Sequence, residues 1–146
     1  MIVKVKRLND KAVIPFKKHD SDFCYDVVAT SCEEIAPNVY KYGTGLAFQI
    51  DRNGVLGYNV SIDFRPRSSV WQTGMVLANC TGTIDEDYRG EVSAIFYHIF
   101  PDMPIYKVGD RIGQIKIGTT LPICFEEVEE LGNTQRGDGG FGSTGK

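Results

Sequence analysis

The stretch that points to the fold spans residues 79–92, where acidic residues stand between two glycines. It reads Asn79-Cys80-Thr81-Gly82-Thr83-Ile84-Asp85-Glu86-Asp87-Tyr88-Arg89-Gly90-Glu91-Val92. The bounding glycines, and an alternating apolar pattern that begins at Val92, predict a β-hairpin with an exposed tip. Such a tip can hold a planar ligand through backbone groups, so we expect the chemistry of the chain here.

The sequence on both sides of this stretch alternates apolar and polar residues with the period of strands. The predicted strands are Met1–Leu8, Gly43–Ile50, Gly57–Phe64, Met75–Ala78, Val92–Phe100, Arg111–Ile117 and Ile123–Phe125. A turn signal at 51–54 predicts that the second and third of these form a hairpin. One short helix is predicted at Val70–Gly74, with a serine cap before it and a glycine at its end. The fold class is therefore all-β.

Length and charge restrict the function classes. The chain has 146 residues, which predicts one domain, and a net charge of −3, which argues against a nucleic-acid partner. No segment reaches the roughly 18 apolar residues of a membrane span, and the first residues lack a signal-peptide core. We therefore expect a cytoplasmic protein with no membrane partner.

The four cysteines do not form a metal-binding pattern. Cys24, Cys32, Cys80 and Cys124 show no Cys-x-x-Cys spacing. They are interpreted as buried or half-buried free thiols in a reducing compartment rather than as a zinc site.

Three polar residues stand out before and after the opening stretch. Asp26 interrupts an apolar strand, so it must be paired or lie near a cation. Arg67, beside the start of the short helix, suits an anion; the alternative is an ordinary serine cap with a solvated arginine. His98 is interpreted as a satisfied core or interface residue.

The last fifteen residues are rich in glycine and cannot form a core. We expect a β domain over 1–131 and a lid over 132–146. Glycine amides, two hydroxyls and the cations of Arg136 and Lys146 can wrap a polyphosphate, while Phe141 can stack on a base. The alternative is a disordered tail with no role.

Five segments in order resemble the homotrimeric dUTP diphosphatases (dUTPases). They are Cys24-Tyr25-Asp26-Val27, Pro66-Arg67-Ser68-Ser69, Asn79 through Val92, Arg111-Ile112-Gly113-Gln114, and Arg136 through Gly145. The resemblance implies a jelly-roll-like β-sandwich or distorted barrel, assembled as a trimer whose sites each draw on all three chains. It also implies hydrolysis of dUTP to dUMP and diphosphate, which limits uracil in DNA and supplies dUMP for dTMP synthesis.

The resemblance also implies a role for each matching residue. Asp85 falls on the general base that directs water at the α-phosphorus. The uracil and deoxyribose positions fall on Asn79, Thr83, Ile84, Tyr88, Ser93 and Phe141. The phosphate positions fall on Arg67, Ser68, Ser69, Gln114, Arg136, Gly142, Ser143 and Thr144. Mg²⁺ is the implied cofactor, held through waters near Asp26. Cys24 and Ser69 stand where the family more often has glycine, and Gly113 where it often has alanine.

Two other functions stay open from the sequence. One is a dCTP deaminase, which shares the fold and much of the phosphate site. The other is a nucleotide-sensing interaction protein that binds dUTP to control its contact with a regulator.

Overall fold

The computed structural model describes residues 1–53 and 57–140, and nearly all regular structure in them is β. The strands are β1 Ile2–Arg7, β2 Tyr25–Val28, β3 Ser31–Ala36, β4 Val39–Gly43, β5 Leu46–Asp51, β6 Asn59–Arg65, β7 Met75–Leu77, β8 Gly82–Asp85, β9 Ser93–His98 and β10 Arg111–Thr120. A single 3₁₀ helix, Ser68–Gln72, lies between β6 and β7. The predicted all-β class is confirmed. Within the described ranges, no helix has the length and apolarity needed to cross a membrane.

The strands form three antiparallel sheets that share one core. One has the order β2-β10-β6-β8, the second β3-β4-β9-β7, and the third pairs β1 with β5. Buried residues from all three sheets belong to a single hydrophobic cluster. This is the expected jelly-roll-like sandwich, with β8 and β7 each at the edge of its sheet.

Neighbouring residues of β10, β6 and β8 align in rows across their sheet. Because side chains alternate along a strand, successive rows face opposite sides. The rows that face the core are Ile115–Phe64–Gly82 and Ile117–Ile62–Ile84, and the outward rows are Lys116–Asp63–Thr83 and Gly118–Ser61–Asp85. The register therefore places Asp85 on the outward side, at the end of an edge strand.

Three aromatic rings fill the centre of the core. Tyr42, Phe96 and Tyr106 meet edge to face, with ring centroids 5.5–6.1 Å apart. The Tyr42 hydroxyl donates to the Tyr106 carbonyl at 3.0 Å, which satisfies its polar atom inside the core. Burial raises the pKa of Tyr42 far above its usual range. These rings hold β4 and β9 beneath the site described below.

Strand pairing differs from the sequence prediction in two places. β5 and β6 do not form a hairpin, since β5 pairs with β1 and β6 pairs with β10 and β8. Residues 79–92 are not a hairpin either, because β8 belongs to one sheet and β9 to the other. The stretch crosses between sheets. The alternating pattern predicts which residues are buried but not which strand lies alongside.

Two shorter elements also differ from prediction. The helix begins at Ser68 and has 3₁₀ geometry, with Arg67 at its cap and no side-chain capping bond, so Ser68 lies inside the helix. Ile123–Phe125 is not a strand in the described chain, and its Ile123 and Phe125 side chains are 72% and 90% exposed. The segment has strand-like composition but no described sheet edge of its own chain beside it.

Candidate active site

A cavity of about 380 Å³ opens where the edge of one sheet meets the edge of the other. β8 forms one wall, β7 and β9 form the other, and the connection after Asp85 crosses its mouth. The predicted residues that line it are Asn79, Thr83, Ile84, Asp85, Tyr88 and Ser93. The structure therefore gathers in one pocket every described residue that the sequence assigned to the base, the sugar or the reacting water.

Local backbone geometry shapes the two ends of this pocket. Cys80 adopts a positive φ of 56°, and its N–H donates to the Leu77 carbonyl at 3.3 Å, so the chain turns sharply beside Asn79. At the other end the Tyr88 N–H donates to the Asp85 carbonyl at 3.1 Å. This second turn brings the Tyr88 ring back over the mouth. Asp85 is exposed at the rim, where its carboxylate is open to a water molecule.

A second polar cluster surrounds Asp26, which is only 6% exposed. Arg111 Nη1 donates to its Oδ2 at 2.8 Å, and Gln114 Nε2 donates to its Oδ1 at 3.0 Å. Arg67 Nε lies 3.5 Å from Oδ1, and Arg67 Nη1 donates to Ser69 Oγ at 3.3 Å. The predicted phosphate-side residues Arg67, Ser69 and Gln114 are therefore brought together, with two guanidinium groups around one carboxylate.

This cluster and the pocket lie at opposite edges of one sheet and share no residue. Asp26 is on β2, at one edge of the order β2-β10-β6-β8, whereas Thr83 and Asp85 are on β8, at the other edge. The two halves of the predicted site are therefore separated by the width of the sheet.

Other predicted site residues lie apart from both groups. Ser68 is exposed in the 3₁₀ helix. Arg136 is exposed, and its Nε donates to the Gly139 carbonyl at 2.8 Å in a local turn of the tail. Phe141, Gly142, Ser143 and Thr144, together with Lys146, lie outside the described residues.

Three residues at these sites were not assigned a role from the sequence. Lys41 and Glu91 line the pocket, and Arg111 bonds to Asp26. Arg111 could have been found, because an acid in an apolar strand requires a cation and the arginine stands three residues before Gln114. Lys41 carries no local signal, since only the β4–β9 pairing places it opposite Ile95.

The residues around Asp26 suit Mg²⁺ only through an intervening water molecule. Over the described ranges, no three His, Cys, Asp or Glu side chains form a group that could hold a metal. The Asp26 carboxylate has about four lone-pair sites and three nitrogens already within 3.5 Å, which leaves room for a metal-bound water rather than the ion. Because Mg²⁺ commonly keeps several waters and takes substrate oxygens, the residues fit an outer contact.

The cysteines and His98 have ordinary surroundings. All four cysteines are free thiols as predicted, but only Cys24 is half-buried and the other three are exposed. The expectation that they would be buried is wrong for those three, which lie in exposed strand and loop positions. His98 is half-buried, with Nε2 3.0 Å from the Met103 carbonyl, as interpreted.

Comparison with known proteins gives a consistent result. The dUTPase family model matches residues 10–145. Deoxyuridine 5'-triphosphate nucleotidohydrolases of Nautilia profundicola and Corynebacterium glutamicum are each 40% identical to this chain, over 100% and 99% of it and 100% and 95% of their own lengths. A point mutant of the Staphylococcus bacteriophage 80alpha dUTPase, solved with dUpNHpp, shares the fold, with a TM-score of 0.79, 24% identity and 99% coverage of both chains. The chain belongs to the dUTPase family.

Proposed function

We propose that this protein hydrolyses dUTP to dUMP and diphosphate. The observation that carries the proposal is the pocket between β8 and β9, which gathers Asp85, Tyr88 and Asn79 at a size suited to a nucleoside. The relatives named for this activity match over nearly their whole length, so their activity is a sound expectation for this chain.

The chemistry follows from the positions of the side chains. Asp85 accepts a proton from a water molecule, whose oxygen attacks the α-phosphorus while the bond to the β-phosphate oxygen breaks. Asn79 and the backbone of Thr83 and Ile84 hold the uracil, and the Tyr88 ring lies against the deoxyribose. Ser93, at the start of β9, completes the sugar side.

The phosphates require more positive charge than the pocket supplies, because its Lys41 stands with the two carboxylates of Asp85 and Glu91. Arg67, Ser69 and Gln114 supply donors in the cluster around Asp26, with Ser68 beside them. Mg²⁺, when bound near Asp26 through water, would offset the negative charge of the phosphates. A related fold, the dUTPase of phage phi11 of S. aureus, has been described with a structural Mg(II) ion.

We propose that residues 132–146 form the lid, with Arg136, Gly142, Ser143 and Thr144 on the phosphates and Phe141 on the base. Glycine gives this segment the backbone freedom to wrap a ligand. Deleting 136–146 should leave the β domain folded and nearly inactive. Full activity of the truncated protein would refute the lid.

We propose that the active assembly is a homotrimer. The pocket and the Asp26 cluster lie at opposite edges of one sheet, so a single chain does not bring them together. The outward face of β7 and β9 presents Val76, Ile95 and Tyr97 at 38–49% exposure, which suits an interface better than solvent. The segment 121–131 is exposed throughout, and Leu121, Ile123 and Phe125 place large apolar side chains at alternate positions, as in a strand that lacks a neighbour.

The substrate and the free thiols suit a cytoplasmic location. Nucleotide pools lie there, and exposed unpaired cysteines persist in a reducing compartment. Fractionation of the source cells, with the protein followed by antibody, is the measurement that checks this location.

A release assay tests the activity directly. The full chain is incubated with Mg²⁺ and with dUTP, UTP, dTTP or dCTP in turn, and both diphosphate and ammonia are measured. We expect diphosphate from dUTP well above the other three. Ammonia from dCTP would instead indicate a deaminase, and tight dUTP binding without turnover would indicate a nucleotide sensor.

A further inference from the structure

The Tyr88 ring is held at the pocket mouth by a chain of contacts that ends in another part of the fold. Tyr88 Oη donates to the Glu91 carbonyl at 3.2 Å. The ring also lies so close to Gly90 that a Cβ there would be 2.5 Å from Cζ, which real atoms do not allow. The ring position therefore depends on where the backbone of residues 90 and 91 runs.

That backbone is fixed by the turn between β4 and β5. Glu91 Oε1 accepts the Gly45 N–H at 2.7 Å. On the next residue, the Val92 N–H donates to Leu46 and the Val92 carbonyl accepts both the N–H and the hydroxyl of Thr44 at 2.7–3.1 Å. The Glu91 carbonyl, which accepts from the Tyr88 hydroxyl, is therefore held by two sets of contacts. One is the bond of the Glu91 side chain to Gly45, and the other is the hydrogen-bonded backbone of Val92.

The turn is shaped to receive this carboxylate. Gly45 has a φ of 66°, which presents its N–H toward Glu91 and favours glycine. A Cβ on Gly43 would lie 2.5 Å from Glu91 Oε1, so only glycine leaves that space open. Glu91 is half-buried, and its carboxylate accepts a backbone donor that would otherwise be left unpaired.

We propose that Glu91 is a positioning residue for sugar selection, acting through the Gly45 anchor on the backbone that sets the Tyr88 ring. This inference rests on the proposed function, in which the ring lies against the deoxyribose. If the ring shifts away, a 2′-hydroxyl gains room. A shift of about 1 Å at such a contact is enough to change rates by orders of magnitude.

Four variants test the proposal by the ratio of kcat/KM for dUTP to kcat/KM for UTP. Glu91→Ala removes the anchor and should lower this ratio about tenfold or more, chiefly by improving relative use of UTP. Glu91→Gln keeps a side-chain oxygen that can accept the Gly45 N–H, so this ratio should stay within about twofold of the parent value. Gly90→Ala displaces the ring without touching the anchor and should lower the ratio as well. Asp87→Ala removes an equal charge from the turn closed by the Tyr88 N–H and the Asp85 carbonyl, and should leave the ratio unchanged.

A measurement that needs no turnover accompanies these rates. The Gly45 amide should be protected from hydrogen exchange in the parent and in Glu91→Gln, and unprotected in Glu91→Ala. If Glu91→Ala does not fold, as judged by thermal unfolding, Gly90→Ala decides whether ring position controls the ratio.

The possible failures are distinct. A parent protein that does not hydrolyse dUTP contradicts the proposed function, whereas Gly45 exchange still reports on the anchor. An unchanged ratio in Glu91→Ala or in Gly90→Ala overturns the positioning role. Loss of dUTP hydrolysis in Glu91→Gln as complete as in Glu91→Ala would give the carboxylate a chemical role and would also overturn it.

Discussion

At the scale of single residues, the position of Asp85 at the end of an edge strand gives a direct test of the chemistry. Asp85→Asn keeps the size of the side chain and one acceptor oxygen but removes its basicity. We expect kcat for dUTP to fall about 10²–10⁴-fold with little change in binding, measured by diphosphate release and by calorimetry.

The matched control for this variant lies two residues along the chain. Asp87→Asn makes the same change in the same turn, where the residue is exposed, and should retain nearly the parent rate. If Asp85→Asn hydrolyses dUTP as fast as Asp87→Asn does, Asp85 is not the base.

Gly113 gives a second prediction at this scale. A Cβ on Gly113 would overlap the Phe64 ring, 2.6 Å from Cε1, and Phe64 also lines the pocket. Gly113→Ala should therefore destabilise the protein by about 1–3 kcal/mol, since the packed ring must move. Phe64→Leu alone should also destabilise it, but the double variant should be more stable than the sum of both changes predicts, by denaturant unfolding. Additive losses would show that the ring and the glycine are not coupled.

The sequence singled out residues that the structure brings together where the residue type itself is chemically restricted. Asp85, Tyr88 and Asn79 stand in one short stretch. An acid in an apolar strand, such as Asp26, predicts hydrogen-bond or ion-pair partners. Glu91 stands in the same stretch but was not singled out, because its partner Gly45 is 46 positions away and backbone N–H donors leave no mark in a sequence.

At the scale of elements, β6 and β10 share an ion pair that makes stability depend on pH. Burial alone would raise the pKa of Asp63, but hydrogen bonds from Lys116 and Ser61 outweigh it and hold the pKa below its ordinary value of 3.8. The Lys116 Nζ lies 2.9 Å from Asp63 Oδ2, and the two side chains are only 18% and 14% exposed. Because the pKa is lowered, the ionised carboxylate stabilises the fold fully at pH values above its ordinary pKa. This stabilisation is lost as the pH falls through the pKa of the folded protein.

The prediction is a pH-dependent difference between two proteins. Asp63→Asn should lower the free energy of unfolding by about 2 kcal/mol at pH 7. The difference from the parent should shrink as the pH falls below about 4, because the parent carboxyl is then protonated too. Denaturant unfolding of both proteins across this range checks it, and a constant difference down to low pH would contradict the linkage.

The elements themselves were predicted more reliably than their partners. Alternation correctly located β1, β5, β6, β9 and β10, since a half-buried strand needs one apolar face. It could not show that β5 pairs with β1, or that β8 and β9 belong to different sheets, because pairing depends on closing the whole sandwich. The Ile123–Phe125 segment has the composition of a strand, but no strand among the described residues pairs with it.

At the scale of the whole molecule, the exposed segment 121–131 predicts the state of assembly. Its Phe125 and Leu131 side chains are 90% and 87% exposed in the single chain. If copies of the chain cover them, Phe125→Ser with Leu131→Ser should shift the mass measured by light scattering from trimer toward monomer. The exposed Phe23→Ser, at 79% exposure outside this segment, is the control and should leave the mass unchanged. A trimer unaffected by the double change would exclude the segment as a contact.

The division of the site between two edges of one sheet has a consequence for mixtures of damaged chains. Asp85→Asn spoils the pocket and leaves the Asp26 cluster intact, whereas Arg67→Ala does the opposite. If each site pairs the pocket of one subunit with the cluster of another, refolding the two inactive proteins together at equal amounts gives a mixture in which about one site in four is whole. Activity would then be restored by mixing alone, and two defective genes expressed in one cell would complement each other.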